Sequence, residues 1–162
     1  MALALRAPAR LRSLSLINAF ARPKPEGPRA FGRILVRLAL LGTAPMSVVA
    51  AYVAQDLFPR PEQRHLYEAA VASLGRTSRG AYFAALRALA RFDVEADLPA
   101  VGCPTLVMAG ERDPTVSRSA AERLAQGIPG AQLVLVADSG HATPLDQPDV
   151  LNKILGQFIA AH

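Results

Sequence analysis

Pro104-Thr105-Leu106-Val107-Met108-Ala109-Gly110 and Gln132-Leu133-Val134-Leu135-Val136 are two short apolar runs separated by a helix-like stretch. The first run stops at a glycine. Ser117 then offers a side-chain oxygen to cap a helix over about 118–127, with Arg123 on its polar side and Leu124 on its apolar one. Pro129-Gly130 makes a turn before the second run. After a loop from Ala137 to Gln147, Val150, Ile154, Phe158 and Ile159 recur at helical spacing, which predicts a final helix over 148–160. Strand, helix, strand, helix means βαβ units and a parallel sheet, so the fold class is α/β.

The chain upstream adds one more strand and a helical block. Residues 2–7 read as a helix stopped by Pro8. Ser13-Leu14-Ser15-Leu16-Ile17-Asn18 reads as a short apolar strand with Asn18 as its exit. The connector Arg22-Pro23-Lys24-Pro25-Glu26-Gly27-Pro28 follows, and strand signals are then missing to about residue 92. Phe31, Ile34, Leu35, Leu38 and Leu41 share one helical face; Tyr82, Phe83, Leu86, Leu89 and Ala90 share another. With Pro45, Pro59, Pro61 and Gly75 as punctuation, four helices are expected: 29–42, 45–57, 61–74 and 78–91. Three segments result: a core helix and strand over 1–22, a helical block over 23–98, and a second core segment over 99–162.

Composition narrows the class of function. The chain has 162 residues, 51% apolar and 19% charged, enough for one domain with a real core and too apolar for disorder. A single cysteine, Cys103, excludes an internal disulfide and a cysteine-rich zinc module. The histidines His65, His141 and His162 are too few and too scattered for a histidine cluster. The net charge of +5 is confined to one end: residues 1–40 hold eight basic groups and one acid, +7, and the rest of the chain is at −2. These charges are spaced rather than packed, so they read as a solvated face, and no nucleic-acid partner is expected. The Arg-rich first 24 residues have the look of a mitochondrial presequence, but Pro8 breaks the helix and the run Leu14-Leu16-Ile17 looks like a buried strand. Residues 38–55 are uncharged, yet Pro45 divides them into two shorter helices, so no membrane span is expected. No secretory signal is present either, and a cytoplasmic location follows as the expectation.

In a parallel α/β sheet, functional groups gather on loops at the carboxyl ends of strands. One such loop is Gly110-Glu111-Arg112-Asp113-Pro114-Thr115; the other is Asp138-Ser139-Gly140-His141-Ala142-Thr143-Pro144. A crossover through helix 118–127 makes their strands neighbours, about 4.8 Å apart. Asp113 and His141 then leave the same sheet edge, and a carboxylate bonded to an imidazole fixes its tautomer and stabilises the imidazolium. Gly140 lets the chain turn to aim His141 inward. Asp138 is a competing acid, better placed to tether its own loop. Ser139 is expected to bond the loop backbone, Asp146 to belong to the start of the final helix, and Cys103 to be a small buried residue. His65 is expected at a surface or pocket rim, and His162 to be frayed.

Taken together, these segments resemble the α/β-hydrolase superfamily. Gly110-Glu111-Arg112-Asp113, about 28 residues before Ser139-Gly140-His141, is similar to its acid and base segments. Cys103 to Ala109 resembles the strand leading to the acid. Asp146-Gln147-Pro148 and the helix after it resemble the closing helix. Residues 29–92 fit the inserted helical cap, and residues 2–17 resemble the helix and strand that follow the nucleophile elbow. The resemblance implies the carboxyl-terminal part of that fold: a short parallel sheet flanked by helices, with a cap. It implies His141 and Asp113 as the base and acid of a Ser-His-Asp triad acting on small apolar ester, lactone or carbon–carbon substrates, without metal or cofactor.

One departure stands against the match. None of the 11 glycines brackets a serine as Gly-x-Ser-x-Gly, the nucleophile elbow of that superfamily. The chain reads as starting just past the elbow, lacking about the first two-fifths of a full-length member. Two expectations follow. The family is hydrolytic, and this polypeptide by itself is a noncatalytic remnant or a module needing a partner chain. Strand 13–18 would also be an open sheet edge, prone to self-association.

Overall fold

The computed structural model describes all 162 residues. They form two compact units, Met1–Arg22 with Asp93–His162, and Pro23–Phe92.

The first unit is built on three parallel strands in the order β1-β2-β3: β1 is Leu14–Ile17, β2 is Thr105–Gly110 and β3 is Gln132–Val136. Leu16 is in register with Val107, and Val107 with Leu133. All six residues of β2 are buried, because a central parallel strand is covered on both faces. Its side chains alternate between two cores. Val107 and Ala109 join Ala4, Leu16, Leu98, Val101, Leu124 and Ile128 on one face. Leu106 and Met108 join Val136, Leu151 and Phe158 on the other. Ala4 belongs to α1 (Ala2–Arg6), so the Arg-rich start folds into the core. Leu124 belongs to α6 (Arg118–Gly127), whose first turn is capped as expected by Ser117 Oγ accepting from the Ala120 amide at 3.2 Å. Leu151 and Phe158 belong to α8 (Pro148–Ala161).

The second unit holds α2 (Gly27–Thr43), α3 (Met46–Leu57), α4 (Arg64–Gly75) and α5 (Arg79–Ala90), close to the four expected spans. Pro45 separates α2 from α3, and no helix is long and apolar enough to cross a membrane.

One expectation is corrected. The helical block ends at Phe92 rather than 98, because residues 95–100 form a 3-10 turn that buries Leu98 in the sheet unit. The apolar face of α2 is not its packed face. Leu41 is buried, but Phe31, Ile34, Leu35 and Leu38 are exposed. The helix turns toward α3 through Arg33 instead, whose carbonyl accepts from the Tyr52 hydroxyl and whose guanidinium reaches Asp56 at 4.0 Å.

Candidate active site

The chemistry-bearing groups collect where β1, β2 and β3 end. Beyond Gly110 the chain stays tied to β3: the Glu111 amide donates to the Val136 carbonyl at 3.0 Å and the Arg112 amide to the Ser139 carbonyl at 2.9 Å. The two loops approach so closely that a Cβ on Gly110 would lie 2.3 Å from the carbonyl oxygens of both Ser139 and Gly140. Only glycine fits there.

This clamp sets Asp113 beside His141, with Oδ2 2.9 Å from Nδ1. The Asp113 side chain has no solvent exposure, and that of His141 keeps 29%. Four donors surround the carboxylate. The amides of Thr115 and Val116 donate to Oδ1 at 2.7 and 2.9 Å. His141 Nδ1 and Asn18 Nδ2 both donate to Oδ2, the second at 2.9 Å. Burial is the largest influence on this carboxyl and would raise its pKa. The hydrogen bond and charge of His141 oppose it, with help from the Val116 and Thr115 amides, and together they hold the carboxyl below the ordinary carboxylate range. An ionised Asp113 obliges His141 to carry its proton on Nδ1, which leaves Nε2 to exchange protons with another group.

The remaining residues fall into place around this pair. Asp138 does tether the loop, by an ion pair with Arg112. It is also the left-handed residue of the turn, at φ 57°, so the reversal expected at Gly140 is made two residues earlier. Ser139 bonds the loop backbone as expected, with Oγ 3.4 Å from the Gly140 carbonyl, and also has shorter bonds to Asp146 Oδ1 at 2.9 Å and to Thr143 Oγ1 at 2.7 Å. Asp146 differs from expectation. Asp146 closes the short helix α7 (Thr143–Asp146) rather than opening the last one, and its Oδ2 accepts the Gly140 amide at 2.6 Å. A carboxylate seven residues from Ser139 therefore braces the loop that carries His141. His65 is exposed, and Cys103 is half-buried before β2. His162 is not frayed: its ring packs edge-on to Phe158 at 4.7 Å between centroids, and its carbonyl accepts from Arg12.

Sequence reading missed Asn18 as a site residue. It leaves β1 at φ 48° and its amide reaches both loops. The available signal was its position, a polar side chain at the carboxyl end of the strand beside the acid strand. A recess of about 320 Å³ lies at the opposite, amino end of the strands, lined by Cys103, Thr105, Gln132 and Phe158 among others. Neither Asp113 nor His141 borders it, and it holds no acid–base pair, so the carboxyl end is the candidate site. No three His, Cys, Asp or Glu side chains converge as metal ligands would.

A parallel sheet with an Asp–His pair on adjacent strand ends is the arrangement of the α/β hydrolases. The sequence model of the alpha/beta hydrolase family matches residues 1–154, and the chain belongs to that family. Among curated relatives, a Caulobacter sp. (strain K31) protein named "Putative carbamate hydrolase RutD" is 34% identical over 177 residues, covering 100% of this chain and 61% of the relative. Among solved structures, a hydrolase from Pseudomonas aeruginosa PA01 is 30% identical, with a TM-score of 0.80 over 97% of this chain and 58% of its own. The enol-lactonase from Burkholderia xenovorans LB400 shares the fold at a TM-score of 0.84 with 23% identity, over 98% of this chain and 60% of its own. The chain thus spans about 60% of the length of these relatives.

Proposed function

We propose that these residues carry the base and the acid of a hydrolytic acyl-transfer site, with His141 as the base and Asp113 as the group that orients it. The hydrogen bond between a fully buried carboxylate and a partly exposed imidazole carries this reading. His141 Nε2 takes the proton of an attacking hydroxyl as its oxygen bonds to the substrate carbonyl carbon. The imidazolium, stabilised by Asp113, then protonates the leaving alcohol or amine as its bond to that carbon breaks. In the second half His141 deprotonates a water, whose oxygen attacks the acyl group, and returns the proton to the departing hydroxyl. The substrate class we infer is a small acyl compound, an ester, lactone or carbamate, supported by the hydrolase family and by the names its relatives carry. A cap role for residues 23–92 belongs to the same proposal, supported by the exposed apolar side chains of α2.

No Gly-x-Ser-x-Gly lies within the 162 residues. We therefore infer that the nucleophile of a working site comes from other residues and that this polypeptide alone is inactive. Loss of a nucleophile and its oxyanion donors removes most of the acceleration in triad enzymes. Two assays test both parts. The purified 162-residue chain is expected to give no His141-dependent turnover of 4-nitrophenyl acetate. Joining it to the part of the Caulobacter relative that it does not cover is expected to restore turnover. His141→Ala and Asp113→Ala should then each cut the rate by about a hundredfold or more. Chimera turnover indifferent to both substitutions would overturn the assignment, and His141-dependent turnover by the short chain would overturn the inactivity.

A further inference from the structure

Asn18 has both hydrogens of its side-chain amide engaged, and each goes to a different loop of the site. One is donated to Asp113 Oδ2 at 2.9 Å and the other to the Gly140 carbonyl at 3.1 Å. The orientation of the amide is determined by these partners. Its own oxygen is buried with no hydrogen-bond partner, and turning the amide over would set that oxygen against a carboxylate and a carbonyl, two acceptors. The backbone brings the side chain to this place. The Asn18 amide still donates to the Met108 carbonyl at 2.8 Å, so the residue continues the pairing of β1 with β2. Its φ of 48° is a left-handed conformation that asparagine tolerates better than most residues.

We propose that Asn18 is a positioning residue of the Asp113–His141 pair, sharing Asp113 Oδ2 with His141 and thereby holding that carboxylate ionised and fixed between the two loops. Two donors already occupy Oδ1, the amides of Thr115 and Val116. With His141 and Asn18 on Oδ2, a proton added to the carboxyl would face a donor from every side. Asn18 is the only one of the four that comes from β1, and it joins that strand to the acid loop and the base loop at once. The inference rests on the reading of Asp113 and His141 as an acid–base pair, and its test separates the two.

The test follows the Asp113 carboxyl carbon and the His141 Nδ1 proton by NMR in the 162-residue chain and in three variants. Asn18→Gly suits the left-handed backbone and removes the amide. Asn18→Asp keeps the shape and replaces the donor with an acceptor carrying like charge. Asp113→Asn removes the acid. The Asp113 titration midpoint is expected to rise by about half to one unit in Asn18→Gly, threefold to tenfold in proton affinity. It should rise by about one unit more in Asn18→Asp, where two carboxylates titrate as a coupled pair. A residue that only fills space gives the opposite order, because Asn18→Asp preserves the packing. An unmoved midpoint in Asn18→Gly, or no further rise in Asn18→Asp, overturns the proposal while the pair stands. If instead the downfield His141 Nδ1 proton survives in Asp113→Asn, the acid–base pair itself is refuted, and the role of Asn18 falls with it.

Discussion

The sheet unit and the helical unit treat apolar residues in opposite ways. Of the 21 buried apolar residues, 16 lie in the sheet unit, and of the 12 large apolar residues left exposed, eight lie in the helical unit. A strand such as β2 is gripped on both faces, and what it carries at its end is held to within a hydrogen bond. The helices of residues 23–92 bury Val49, Ala50 and Ala54 and leave Phe31, Leu35 and Phe83 on the surface. Precision is thus concentrated where the acid and base loops emerge, and unspent apolar surface is concentrated elsewhere.

Substitutions can break this contrast or sharpen it. The largest effect is expected at Met108, which is fully buried in the central strand: Met108→Ala should cost about 3 kcal/mol in urea unfolding. Gly110→Ala comes next, at about 2 kcal/mol, since its methyl would strike the Ser139–Gly140 backbone. It should also abolish the downfield Nδ1 proton of His141, which Met108→Ala should leave in place. Asp113→Asn follows, and here pH gives the sign. The folded carboxyl sits below its unfolded value of about 3.9. Its stabilisation is therefore complete above that value and is lost as pH falls through the folded one. The variant should be less stable by about 1–2 kcal/mol at neutral pH, and the gap should close in acid unfolding curves as pH falls below about 3.9. The smallest effect is expected at Leu35, 65% exposed on α2, where Leu35→Ser should shift the unfolding free energy by no more than about 0.5 kcal/mol. A loss of 2 kcal/mol there would mean that the helical unit packs as tightly as the sheet.

The same contrast explains what the sequence made legible. The spans of β2 and β3 were readable because short continuous apolar runs bounded by turn residues mark buried parallel strands, and those of α6 and α8 because a Ser cap and 3.6-residue spacing mark helices. The proximity of Asp113 and His141 followed from two strand ends joined by one helix. The exposed face of α2 was not readable: periodicity shows that a face is apolar, not what covers it. Nor were the partners of the site residues. Asn18 meets Asp113 across 95 positions of chain, and Asp146 reaches back to Gly140 across a short helix whose four residues are too few to show a period. Such contacts depend on side-chain direction at loop ends, where no repeating pattern exists.

Because the Glu111 amide bonds to Val136 and the Arg112 amide to Ser139, the rungs between β2 and β3 run on past the strands into what reads as surface loop. Those two hydrogens should therefore trade with deuterium from solvent at the pace of the strand interior, and should be released together. The segments bearing Asp113 and His141 would then melt as one piece, so that the acid and the base are lost or kept in the same step.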